Sequence, residues 1–368
     1  MNEKSDTSLV DKSEEKIVEK KEIFSFIKNP IRRDVVNLAW PVLIELLMSS
    51  LFGMVDMMML GWIADRALSA ASVAAVGITN QPMLLGLSLA QALNVGGTAM
   101  IARYVGSKQN HRIESVLKHV ILLNLVFLAF PLAFIGIAFT DQIMAFMGAQ
   151  ADTISVGRIY FKVVFIGYIF QTFNMSITAA LRGMGETKTP MLINLKVNFL
   201  NVIGNSLLIY GLLFFPTMGV TGAGISTTFS QIIASILMIR YLVKGNGVLK
   251  FNLKHKFRYD KTIIKNLIRI GIPASLESLA LRIGVLLFVR IVAGLGTVVY
   301  ASHNIALSIL GLSFQPGQAF GIAASSMVGR SLGASDLHKA EDYAKETRKI
   351  GSLISTIMAV IFFFFGPQ

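Results

Sequence analysis

Nine separate stretches of this chain, at roughly 35–60, 69–101, 116–139, 154–181, 190–215, 219–243, 265–294, 298–329 and 350–366, are long and mostly apolar. Each is long enough for one helix to cross the hydrocarbon core of a bilayer, which takes about 20 such residues. Lipid offers the backbone no hydrogen-bond partners, so a spanning segment must satisfy its own amides, and continuous runs of this length select helices over strands. The composition agrees, because 54% hydrophobic and 15% charged residues leave more apolar surface than one water-soluble core hides. Pro41, Pro82, Pro131, Pro273 and Pro316 fall inside these runs, where they predict bends or opened hydrogen-bond ladders.

The basic residues give the chain an orientation. Of the 34 lysines and arginines, 29 lie in five segments: the first 40 residues, Arg103 to Lys118, Arg182 to Lys196, Arg240 to Arg269, and Arg330 to Lys349. If all nine runs span, these segments share one side of the membrane, whereas the opposite connections carry only Arg66. Retention of cations on the inner side then predicts a multi-pass protein of the plasma (inner) membrane with a cytoplasmic N-terminus. The same distribution argues against a nucleic-acid partner despite a net charge of +13, because the cations alternate with apolar runs instead of covering a soluble face. Residues 1–34 read as a polar cytoplasmic tail without the early apolar core of a signal peptide. The absence of cysteine excludes disulfides and thiolate chemistry.

The second half of the chain repeats the first. At a shift of 227, Ala92 to Gly106 aligns with Ala319 to Gly333, matching Ala92/Ala319, Met100/Met327, Arg103/Arg330 and Gly106/Gly333. At a shift of 232, Pro41 and Glu45 fall on Pro273 and Glu277. Six spans separate the copies, so both point the same way through the bilayer, and parallel repeats of this kind enclose a substrate site that opens alternately to either side. Convergent small-residue packing accounts less well for the matched arginine, proline and glutamate.

Ionisable groups inside spans are costly and therefore functional suspects. Glu45 lies about 15 Å and Asp56 about 30 Å along the first helix from its inner end. The fifth run carries Asn194, Asn198, Asn201 and Asn205, whose spacings of 4, 3 and 4 place all four amides on one face. A carboxylate facing such a stripe can hold Na+ through oxygen ligands or exchange a proton; amides also join helices without any ligand, and Asn194 and Asn198 read that way. Glu277 is either a functional acid or the partner of Arg282, and Glu45, its counterpart, a gate or a packing charge. Arg290 falls near the repeat position of Asp56, which makes the halves electrostatically unlike. Arg158 and Lys162 read as snorkelling cations, and His303 carries no assignment. Gly183 to Thr189 is not a phosphate loop, because Thr187 precedes Lys188 and the flanks are membrane helices.

Leu181 to Met191 (LRGMGETKTPM), Met218 to Thr227 (MGVTGAGIST), Val55-Asp56, and the paired Arg-x-x-Gly turns at Arg103 and Arg330 resemble the multidrug and toxin extrusion (MATE) family from about residue 33 onward. The resemblance implies an all-α, two-lobe bundle of which about nine of twelve transmembrane helices are present. Its parts are a polar tail at 1–34, an N-terminal six-helix lobe at 35–244, a basic cytoplasmic linker at 245–264 and an incomplete C-terminal lobe at 265–368. It also implies an ion site at Asp56, Asn201 and Asn205, with Asp56 and Asn201 as possible Na+ ligands, Asn205 standing where the family has aspartate. Glu277 inherits a role in cation coupling or drug binding. The expected function is a secondary antiporter, not an enzyme, with no cofactor. It exports amphipathic or cationic organic compounds in exchange for H+ or Na+, as a monomer in contact with membrane lipids. The alternatives are a lipid-linked oligosaccharide flippase of related fold, and a non-transporting receptor or subunit.

Overall fold

The computed structural model describes residues 29–245, 257–293 and 297–365. Most of the expected polar tail, residues 246–256 of the basic linker, and the side chains of Arg290 and His303 lie outside the described residues. Among the described residues every long element is a helix: α1 (Pro30–Gly61), α2 (Arg66–Gly106), α3 (Asn110–Leu122) continued through a π-helical turn into α4 (Phe130–Ala138), the short α5 (Thr140–Phe146), α6 (Ala151–Gly183), α7 (Lys188–Tyr210), α8 (Gly219–Lys244), α9 (Lys261–Ala293), α10 (Thr297–Gly333) and α11 (Leu337–Phe365). Seven of these continuous segments are long and apolar enough to cross a membrane, and α9 and α10 occupy the seventh and eighth runs.

Local chemistry explains the boundaries. Asn29 caps α1 by accepting from the Ile31 amide, with Pro30 in the first turn where no amide hydrogen is needed. Asp65 caps α2 through the Ala67 and Leu68 amides. The π-helical turn Leu123–Ala129 immediately precedes Pro131, whose ring cannot donate and crowds the carbonyl four residues back, so the ladder widens there. Gly211 and Gly245 end α7 and α8 in the left-handed conformation.

Three buried clusters hold the helices together. Met100, Ile113, Leu117, Ile177, Met238 and Leu267 join α2, α3, α6, α8 and α9. Val35, Leu38, Phe320, Met327, Tyr343 and Ile350 join α1, α10 and α11. Met59, Leu60, Val76, Tyr160, Ile209 and Val220 join α1, α2, α6, α7 and α8 at their opposite ends. Phe127, Phe134, Phe199, Leu276 and Phe363 stand exposed on the outside, where a bilayer replaces water as their solvent. Helix ends that carry the five basic segments gather on one face of the bundle, called the basic face below.

Candidate functional site

α1 and α7 run parallel and in register. Asn194 Nδ2 donates to Glu45 Oε1 at 2.6 Å, Asn198 Nδ2 to Ser49 Oγ at 3.4 Å, and Asn205 Nδ2 to Asp56 Oδ1 at 2.7 Å. Each pair is separated by 149 residues, so the amide stripe lies along α1. The 3.6-residue helical repeat keeps positions spaced 4, 7 and 11 on one face, which is why a stripe legible in sequence becomes a continuous seam between two helices.

At the end of the seam remote from the basic face, Asp56 is half-buried beside two buried amides, Asn201 and Asn205. Asn201 sits between Asp56 and the start of α8. With its nitrogen turned to Asp56 it lies 3.2 Å from both carboxylate oxygens, and its oxygen accepts from the Thr227 amide and Thr227 Oγ1 at 3.2 Å. In the reverse orientation the nitrogen donates to Ser226 Oγ and Thr227 Oγ1 at 3.2 Å. The first orientation satisfies both ends of the amide, whereas the reverse sets its oxygen against the carboxylate oxygens of Asp56. Ser226 Oγ also donates to the Asn201 carbonyl at 2.9 Å, which fixes α8 against α7. Asn205 Oδ1 is buried without a hydrogen-bond partner, an uncommon condition for a polar atom. Tyr210 donates to the Met59 carbonyl at 2.6 Å and closes this end of the seam.

Nearer the basic face, Glu45 faces Arg182. Arg182 Nη2 lies 2.9 Å from Glu45 Oε2, with side chains 11% and 7% exposed, and Asn194 holds the other carboxylate oxygen. Arg182, counted above among connection cations, is thus a buried partner of an intramembrane acid. A pair this deeply desolvated depends on its counter-charge, with Asn194 satisfying the second carboxylate oxygen.

The structure brings Asp56, Asn201 and Asn205 together and leaves the other two acids apart from them. Glu45 belongs to its own pair lower in the seam. Glu277 is exposed on α9, with no hydrogen bond or ion pair among the described residues. Arg282, considered as its partner, instead directs Nε toward Ser88 Oγ at 3.4 Å. The described residues contain no cluster of three or more His, Cys, Asp or Glu side chains suited to a metal ion, so any cation at Asp56 would rely on amide, hydroxyl and carbonyl oxygens. Sequence reasoning missed Ser49, Ser226 and Thr227 as partners of the stripe. Ser226 and Thr227 lie inside the Met218 to Thr227 stretch, so a signal existed, but hydroxyls in a small-residue run carry no periodic mark.

The MatE family model matches residues 41–207 and 273–368, two stretches that begin at Pro41 and Pro273, the prolines paired by the repeat. Among curated proteins, the chain is 28% identical to the probable multidrug resistance protein NorM of Thermotoga maritima, covering 91% of this chain and 70% of that protein. It is 29% identical to the uncharacterized transporter YisQ of Bacillus subtilis, covering 81% and 64%, and 25% identical to the multidrug export protein MepA of Staphylococcus aureus, covering 78% and 62%. The chain therefore spans about two thirds of the length of these relatives. A structure described as the outward-facing conformation of a multidrug resistance MATE family transporter superposes with a TM-score of 0.81 at 26% identity, over 93% of this chain and 74% of that one. A MOP superfamily transporter from Pyrococcus furiosus gives 0.80 at 25%, over 93% and 74%. With the family model matched over more than half of its residues and a helical bundle that superposes on solved members, this chain belongs to the MATE family of multi-pass membrane transporters.

Proposed function

We propose that the protein is an ion-coupled antiporter that exports amphipathic or cationic organic compounds in exchange for H+ or Na+ bound at Asp56. The basic face is the cytoplasmic side of the plasma membrane. Residues 35–244 form one lobe and the residues from 265 begin the other. The drug-export part of this reading is supported by relatives named as multidrug export proteins, and the orientation by the basic segments.

The observation that carries the coupling site is a half-buried carboxylate, deep in a spanning helix, bracketed by two amides. Asp56 supplies the charge that exchanges. Asn205 and Asn201 face it, and Ser226 and Thr227 hold Asn201 from behind. With its nitrogen toward the anionic Asp56 and its oxygen held by Thr227, Asn201 supplies a hydrogen-bond donor to the empty carboxylate. Because ion and substrate favour different access states, binding one promotes release of the other. Glu45 takes no part in ion exchange in this reading, since Arg182 already neutralises it. Glu277 is a second, separate acid available to a cationic substrate.

The test is efflux of a cationic dye from membrane vesicles containing the protein, with Na+ and pH gradients imposed one at a time. Asp56→Asn is expected to lower gradient-driven efflux at least tenfold with unchanged membrane insertion. Efflux equal to that of the parent removes Asp56 from the mechanism.

A further inference from the structure

At the basic face the ends of α2 and α10 cross with their backbones in contact. A Cβ on Gly106 would fall on the Arg330 carbonyl oxygen, and a Cβ on Gly333 would fall on the Arg103 carbonyl oxygen. These are repeat partners, Arg103 with Arg330 and Gly106 with Gly333, so the contact is reciprocal. A third repeat pair confirms the symmetry. A Cβ on Gly329 would lie 2.8 Å from the Cβ of Ala102, and Ala102 and Gly329 are also related by the shift of 227. Equivalent positions can touch each other only where a two-fold axis passes between them, so the pseudo-axis of the repeat runs between Ala102 and Gly329.

The crossing has one asymmetric brace. The turn between α6 and α7 holds Gly185 at φ +78°, and the Arg330 guanidinium occupies the space that a side chain there would need. Ser326, buried one helical turn further into the membrane, donates to the Gly183 carbonyl at 3.4 Å. Beside the crossing, Tyr343 donates to Asp34 Oδ2 at 2.8 Å and Arg32 pairs with Glu346 at 2.7 Å, which ties α11 to the start of α1. A cavity of about 720 Å3, lined by Asn37, Glu186, Lys188, Ser331 and Lys339 among others, lies against the crossing.

We infer that the reciprocal Gly106–Gly333 crossing is the cytoplasmic gate of the transporter, and that both positions must lack a side chain for it to shut. The inference rests on the transport reading above for its name, but it concerns closure and is measured without transport. Two helices of a duplicated protein that meet on their symmetry axis give a contact that is made or broken as one event, because separating one glycine from its carbonyl separates the other. A methyl group on either glycine strikes backbone, which cannot rotate away as a side chain can. It therefore opposes the closed state and shifts the population toward the state open on this face. The Arg330 guanidinium on Gly185 adds a seat that only the closed arrangement fills.

The chain contains no cysteine, so a single introduced thiol reports cleanly. Ser326→Cys is fully buried behind the crossing and is the reporter. In inside-out vesicles, a membrane-impermeant maleimide is expected to label Ser326→Cys about tenfold faster when Gly106→Ala or Gly333→Ala is added, with insertion verified by protein level. Labelling unchanged by both alanines overturns the gate. Should the alanine variants fail to insert, Arg330→Ala decides, because it empties the seat at Gly185 without adding atoms to the crossing: the gate requires Ser326→Cys to label faster in Arg330→Ala than in the parent. Labelling unchanged by Arg330→Ala overturns it. Absence of dye efflux by the parent protein, with the labelling shifts intact, would instead count against the antiport reading alone.

Discussion

The two copies of the repeat agree at the basic face and part company inside the membrane. Gly106 and Gly333 make the same contact with each other's helix, whereas Glu45 and Glu277, matched just as well in sequence, have opposite surroundings. Glu45 is buried against Arg182 and Asn194; Glu277 is exposed on α9. The difference follows from who supplies the partners. Glu45 is held by α6 and α7, which α9 to α11, the repeat of α1 to α4, do not duplicate. A duplicated sequence fixes duplicated contacts only where both halves meet on their common axis; elsewhere each acid takes its character from the helices that pack on it.

The largest effect that tests this contrast is on stability. Glu45→Gln leaves the Arg182 guanidinium buried without a counter-charge and is expected to cost about 3 kcal/mol, whereas Glu277→Gln is expected to change stability by less than about 0.5 kcal/mol. Thermal unfolding of the detergent-solubilised protein compares them directly. Equal shifts would break the contrast.

A smaller effect sharpens the reading of the amide seam. Asn205→Asp puts a second carboxylate within hydrogen-bond distance of Asp56, and two acids this close ionise together only with a cation between them. Millimolar Na+ is then expected to stabilise Asn205→Asp by about 1 kcal/mol more than the parent, read as a larger rise in Tm. A rise no larger than that of the parent would mean that Asn205 does not face the ion.

The smallest concerns the caps of the first helix in each copy. α1 begins with the neutral Asn29, α9 with Asp260, whose Oδ1 accepts from the Thr262 amide at 2.8 Å and the Ile263 amide at 3.3 Å. The Thr262 amide chiefly, with Ile263 and the nearby His119, holds the Asp260 carboxyl below its ordinary value of 3.8. Its capping contribution is therefore complete above that value and lost as pH falls below it. Hydrogen exchange at residues 262–264 should accelerate severalfold between pH 6 and pH 3 after correction for intrinsic rates, and far less in Asp260→Asn, which gives α9 the neutral cap of α1. Equal acceleration with either cap would show that the charge of the cap is irrelevant.

Much of this was legible beforehand. The spanning runs, the alternation of cations and the amide stripe on α7 are periodic or compositional, and the backbone's need for internal hydrogen bonds in lipid converts them into helices without reference to any neighbour. The π-helical turn was foreshadowed by Pro131. The partners were not legible. Arg182 counted as one more connection cation, and its burial against Glu45 depends on the angle at which α6 meets α1. Ser226 and Thr227 read as small residues entering α8, and their place behind Asn201 depends on the closeness of α7 and α8.

The sequence by itself determined a bundle of membrane-spanning helices, its parallel duplication and the face of α7 that carries the amides, because these follow from hydrophobicity and helical period along one chain. Only the tertiary structure decided which acid is paired, which faces the amides and where the two copies touch, because each depends on residues more than a hundred positions apart arriving within 3 Å or so of one another, a matter of packing that no local pattern records.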